Sequence, residues 1–171
     1  MKRRPIIRLI ILALFILITT YYYSLQINED TELYNSIQSR VEQALQQSEN
    51  ITVDLNERTT FKWDTLYIIK PFPYVKEFCK KHNIKYKLIQ YRHSDDNCIL
   101  LFVLDKKIVT YIQYPRGYGD FVQPSIKEKY SAKDTVFKFY RDENGEINVE
   151  HWGDLKSSWP YTAGRKKSAG R

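Results

Sequence analysis

CILLFVLDKKIVTYIQY, residues 98–114, is the stretch whose reading decides the fold. Cys98–Leu104 is apolar at every position, so it reads as a strand with both faces buried, at the centre of a sheet. Asp105-Lys106 turns it into a second strand, Lys107–Tyr114, with Ile108, Ile112 and Tyr114 expected on one face. Upstream, Phe61–Lys70 is dense in aromatic and β-branched residues and predicts another strand, ended by Pro71 and Pro73. Pro73 suits the first turn of a helix over 74–83, with Val75, Phe78, Cys79 and His82 on one face. Ile84–Tyr91 reads as a strand or extended segment, and 93–97, HSDDN, as a turn. Downstream, Asp134–Arg141 and Glu146–Trp152 form a hairpin about Asn144-Gly145. Nearer the N-terminus, Leu33, Ile37, Val41, Ala44 and Leu45 recur at helical spacing over 30–48, with Asp30 or Thr31 as cap. Ile51, Val53 and Leu55 alternate as a short strand. This order predicts an α+β domain: an antiparallel sheet covered by helices on one face.

Residues 6–25, IIRLIILALFILITTYYYSL, read as a transmembrane helix ahead of that domain. Such a helix needs roughly 20 apolar residues to cross a hydrocarbon core of about 30 Å. Lys2, Arg3 and Arg4 precede the run and Tyr21, Tyr22 and Tyr23 close it, which predicts an N-terminus inside. The competing reading is a cleaved signal peptide and a secreted body, but no small-x-small cleavage site follows the run. The expected organisation is an uncleaved signal-anchor at 1–25, an amphipathic helix at 26–50, an α+β domain at 51–152 and a flexible basic tail at 153–171. The expected location is the bacterial inner membrane, single-pass, with the C-terminal domain extracytoplasmic.

Hydrophobic residues make up 43% of the 171, which fits a folded chain rather than a disordered one. The net charge of +7 is a property of the ends: Lys2, Arg3, Arg4 and Arg8 carry four charges and Arg165, Lys166, Lys167 and Arg171 four more. The remainder is close to neutral, so the balance gives no nucleic-acid footprint. Within the domain the charge is uneven. Lys76, Lys80, Lys81, Lys85, Lys87 and Arg92 face a single Glu77 in 76–92. That stretch is either a solvated face or a basic patch for an acidic protein, an anionic lipid or a wall polymer.

Catalytic signatures are sparse. His82, His93 and His151 share no metal spacing, and GxSxG, HExxH and CxxC do not occur. His93, Asp95 and Asp96 read as turn chemistry, not as cation ligands. No cofactor or metal is expected. Cys98 and His93 are near in sequence, yet Cys98 opens a buried strand and reads as an inert sulfur. Cys79 and Cys98 are the two cysteines, and an oxidising compartment would bond them. The alternative is two buried thiols.

FKWDTLYIIKPFPY (61–74), CILLFVLDKKIVTYIQYPRGYGDF (98–121) and YSAKDTVFKFYRD (130–142) together resemble a family of small bacterial envelope proteins, many of them lipoproteins. The shared features are a Trp-Asp strand with a Pro-aromatic ending, then a hydrophobic hairpin running into Tyr-Pro-Arg-x-x-Gly-Asp-Phe. The resemblance implies an envelope location but lends no mechanism; this chain departs from it in having no lipobox Cys and in keeping a long apolar N-terminal run. It directs attention to Trp63, Asp64, Tyr114, Arg116 and Asp120 as structural or recognition residues. Arg116 reads as a clamp on Asp120 or Asp64, or else as part of a recognition loop. The functional expectation is a non-enzymatic membrane-anchored binding protein, immunity-like or envelope-associated. The alternative is an envelope hydrolase using acidic residues such as Asp64 and Asp120.

Overall fold

The computed structural model describes residues 3–46, 50–71 and 74–153. Helix α1 (Arg3–Leu25) leads through β1 (Gln26–Ile27) to α2 (Thr31–Gln46). Strand β2 (Ile51–Asp54), the short α3 (Leu55–Arg58), β3 (Thr65–Ile69) and α4 (Val75–Lys81) follow. Then come β4 (Leu88–Ile89), β5 (Asn97–Leu104), β6 (Lys107–Pro115), a 3-10 turn at Arg116–Tyr118, β7 (Lys129–Ser131), β8 (Val136–Arg141) and β9 (Ile147–His151). Pro73, and the expected basic tail from 154 onward, lie outside the described residues.

Four strands pair antiparallel in the order β6-β5-β3-β7. Cys98 to Val103 of β5 are all buried, because both faces of this sheet are covered. Cys98, Leu100 and Phe102 point to one face, where they meet Leu33, Ile37 and Val41 of α2. The same face meets Phe137, Phe139 and Val149 of a second antiparallel sheet, ordered β2-β8-β9. Ile99, Leu101 and Val103 point the other way, onto Val75, Phe78 and Cys79 of α4 and onto Ile84 and Ile89. The expectation of helices on one face is therefore corrected: a second sheet shares one side with α2, and α4 covers the other. The hairpin about Asn144-Gly145 belongs to that second sheet.

Local chemistry sets the element ends. Asp30 Oδ1 accepts the Leu33 N–H at 2.9 Å and opens α2. Asn83 takes a left-handed φ of 54° just past α4, and the Ile84 N–H closes back on the Cys79 carbonyl at 2.8 Å. The β5–β6 turn carries positive φ at both Asp105 and Lys106. Asp64 Oδ2 steadies it by accepting the Asp105 N–H at 2.8 Å. Opposite this turn the register slips: Phe102 pairs with Thr110 but Val103 with Ile108, so Val109 is bulged. The extra residue flips the alternation. Ile108 joins Tyr111 on the α4 side, not Ile112 and Tyr114 as the sequence pattern suggested.

The transmembrane helix is also corrected. Among the described residues no helix is long and apolar enough to cross a membrane. The uninterrupted apolar stretch of α1 runs from Leu9 to Ile18, bounded by Arg8 and by Thr19 and Thr20. At 1.5 Å per residue it spans about 15 Å, half of a hydrocarbon core. The signal-anchor, the single-pass inner-membrane placement and the extracytoplasmic body rested on that span and fall with it. Of Ile84–Tyr91, expected as a strand or extended segment, only Leu88–Ile89 is a strand, paired parallel with β1.

The Cys79–Cys98 bond does not form; both cysteines are free and buried. Cys98 faces the α2 side of the sheet and Cys79 packs on the opposite side, so β5 itself stands between them. Burial pushes the Cys79 thiol up to about 11 and that of Cys98 to about 12. Native protein prepared without reductant should react slowly with a thiol reagent and reveal two thiols in guanidinium. Finding none after unfolding would show a bond.

Candidate functional site

The strand β6 ends at Pro115, and the chain then makes a tight loop against the β8–β9 hairpin. The Arg116 guanidinium grips Asp120 with two bonds, Nε to Oδ1 at 2.9 Å and Nη2 to Oδ2 at 3.0 Å. Its Nη1 donates to the Asp95 carbonyl at 3.2 Å, and its backbone N–H to the Asp96 carbonyl at 2.8 Å. Asp120 Oδ1 accepts the Val122 N–H as well, at 2.9 Å. The Arg116 hydrogen bonds hold the Asp120 carboxyl below its ordinary range, and the same bonds raise Arg116. Tyr114 is buried beneath the loop, and its hydroxyl donates to the Tyr118 carbonyl at 3.0 Å. Burial drives the Tyr114 phenol well above its usual range. Gly119 has a φ of 144°, and a Cβ there would sit 2.7 Å from both Phe139 and Val149. Glycine is therefore what lets the loop press onto the second sheet.

Between this loop and the hairpin lies a cleft of about 350 Å³, lined by Arg116, Asp120, Arg141, Glu146, Ile147 and Asn148. Its charges are matched internally, two arginines against two acids. Asp120 gives its carboxylate oxygens to Arg116 and Val122, a poor state for a general acid or base.

Trp63 and Asp64 lie elsewhere. Trp63 is buried, its Nε1–H donating to Thr59 Oγ1 at 2.8 Å and its ring edge-on to Phe102 at 5.0 Å. Asp64 sits beside the β5–β6 turn, at the start of β6, whereas Asp120 follows its end. β6, nine residues and so about 25–30 Å long at ~3.3 Å per residue, runs from the turn beside Asp64 to the loop that holds Asp120, so the two carboxylates are not brought together. Paired-carboxylate chemistry needs a separation under about 10 Å. Cys98 and His93 are likewise not brought together: Cys98 Sγ donates to the Tyr114 carbonyl at 3.5 Å within the core, while His93 is exposed beside Tyr74 at 5.1 Å. Among the described residues no cluster of His, Cys, Asp and Glu is placed to hold a metal ion.

The second region of interest is the α4 side. Lys76, Lys80, Lys81, Lys85, Lys87 and Arg92 are all exposed, as are Lys106 and Lys107 at the β5–β6 turn. Lys85 and Lys107 are bridge partners, with the Lys85 N–H bonded to the Lys106 carbonyl at 2.7 Å. Like charges set directly opposite one another destabilise a strand pair. Sequence reading missed Lys106 and Lys107 because they stand 14 and 15 residues beyond Arg92, the end of the run they join; no local signal marks them. Tyr74 and Tyr86 are exposed among these lysines. Glu77, Asp105 and Glu128 are the acids among them; Glu128 pairs with Lys81, its Oε1 3.3 Å from Lys81 Nζ. It also lies 2.7 Å from His82 Nε2, off the direction a hydrogen bond needs. Lys129 Nζ lies over the Tyr67 ring at 5.7 Å.

Compared with protein-family models, curated proteins and solved structures, the chain matches none.

The Arg116–Asp120 pair is partly exposed, and solvent screens it, so Arg116→Ala should cost about 1 kcal/mol. The Asp120 pKa is depressed in the folded state, so the clamp's contribution is present above the unfolded carboxylate value, about 3.9. It is lost as pH falls through the lower folded value. The stability gap between wild type and Arg116→Ala should be constant above about pH 5 and close in acid. Thermal melts across that range check it; a gap that persists in strong acid would mean Arg116 acts through packing alone.

Proposed function

We propose that this protein acts by binding rather than by catalysis, and that its binding surface is the lysine face over α4, the 84–92 segment and the β5–β6 turn. The partner class is an acidic protein surface. The carrying observation is Lys85 opposite Lys107. The backbone bond there serves folding, but two like charges set opposite one another do not, whereas a negatively charged partner can pair with both. The exposed Tyr74 and Tyr86 support a protein partner over a simple polyanion, because tyrosine is enriched where protein surfaces meet. An immunity-like role, in which a small domain occludes part of another protein, fits such a face. The hydrolase alternative draws no support from the cleft, which holds Asp120 but not Asp64.

Replacing one of the opposed lysines separates folding from function. Lys107→Glu should raise stability by about 0.5 kcal/mol, because it turns a repulsive pair into an attractive one. It should at the same time weaken binding to polyglutamate by roughly threefold or more, with the difference fading in high salt. Calorimetric melts and titrations measure both. Unchanged polyglutamate affinity in Lys107→Glu would overturn the assignment of the face. So would saturable binding to anionic vesicles with none to polyglutamate.

A further inference from the structure

We infer, resting on the lysine-face reading, that the partner engages this face with an extended acidic segment that adds as a strand alongside β4. The small parallel sheet is ordered β1-β4, so among the described residues β4 has a strand on one side only. Around it the chain is extended but forms almost no ladder: between Ile84 and Ser94 only Leu88 and Ile89 are strand, with one isolated bridge at Lys85. This backbone is nevertheless held in place. Ile84 and Ile89 are buried in the α4-side core. The Tyr111 hydroxyl donates to the Gln90 carbonyl, and the Arg92 N–H donates to Gln113 Oε1 at 2.8 Å. The result is an ordered edge that costs a partner little further ordering.

The side chains along that edge choose the occupant. Lys85, Tyr86, Lys87, Gln90 and Arg92 are exposed, and Lys107 stands beside Lys85. Lysines on an edge strand repel a second basic edge, so a second copy of this chain is disfavoured. An acidic strand meets no such penalty and gains charge pairs at Lys85 and Lys87, with Lys107 beside Lys85. Backbone pairing then supplies affinity, and the alternating lysines supply specificity.

The test uses the whole chain and a capped octapeptide of alternating Glu and Val, with polyglutamate as the comparison. In a strand successive amides point to opposite edges. Two versions of the octapeptide are therefore made, one N-methylated at the Glu positions and one at the Val positions. Strand addition predicts that one methylated peptide binds like the parent and the other at least tenfold more weakly. It also predicts that amides within 84–92 gain protection from hydrogen exchange on binding the parent. If polyglutamate and the parent both bind in a salt-dependent way but the two methylated peptides behave alike, the lysine-face reading stands and strand addition is overturned. If neither polyglutamate nor the parent binds, the reading itself fails and the inference with it.

Discussion

Burying β5 on both faces is the constraint on which every other layer depends. Cys98 to Val103 present no polar face, so the strand is stable only where it has two covers. Fully burying each large apolar side chain stabilises by about 1.5–3 kcal/mol, an upper bound because the unfolded chain is already partly collapsed. Losing either cover would therefore forfeit several kcal/mol, a large part of the ~5–15 kcal/mol that holds a domain together. That is why α2 and the β2-β8-β9 sheet crowd one face and why α4 with the extended 84–92 segment closes the other.

Two backbone irregularities distribute the side chains between those covers. The bulge at Val109 lets one strand send Ile108 and Tyr111 to the α4 side and Ile112 and Tyr114 to the other. Gly119 lets the loop after β6 lie against Phe139 and Val149, which brings Asp120 within one backbone bond of Ile147. The Arg116 clamp thus sits where the two sheets meet, tying the end of one to the edge of the other. The lysine face lies on the opposite side of the central sheet, so the clamp and the proposed binding surface are separable by mutation.

Features with a local cause were legible in the sequence. The buried run of β5, the helical spacing of Leu33, Ile37 and Val41, and the Asn144-Gly145 turn are each decided within a dozen residues. What was not legible depends on partners far along the chain. Nothing near Val136 announces a second sheet, because its third strand, β2, comes some 80 residues earlier. The bulge is invisible to a period-of-two reading, and it misassigned Ile108. The two cysteines share apolar surroundings, and only the sheet between them shows that these are different surroundings. The apolar run of α1 suggested a span, but Arg8 at one end and Thr19 and Thr20 at the other cut its uninterrupted length to half of what a bilayer requires. For the lysine face, six of its cations were in the run 76–92 and two, Lys106 and Lys107, were folded in from the β5–β6 turn.

The contacts that fasten residues 26–30 to the body bear on the order in which the molecule assembles. The Asn28 carbonyl accepts from Thr110 and the Glu29 carboxylate from the Gln113 N–H, links that close loops of 82 and 84 residues. β1 finds its partner only at Leu88 and Ile89. During synthesis these early residues leave the ribosome long before anything exists for them to pair with, and closing such loops is slow. The β5–β6 hairpin needs only its own neighbours. The piece of the body made first is therefore among the last to dock.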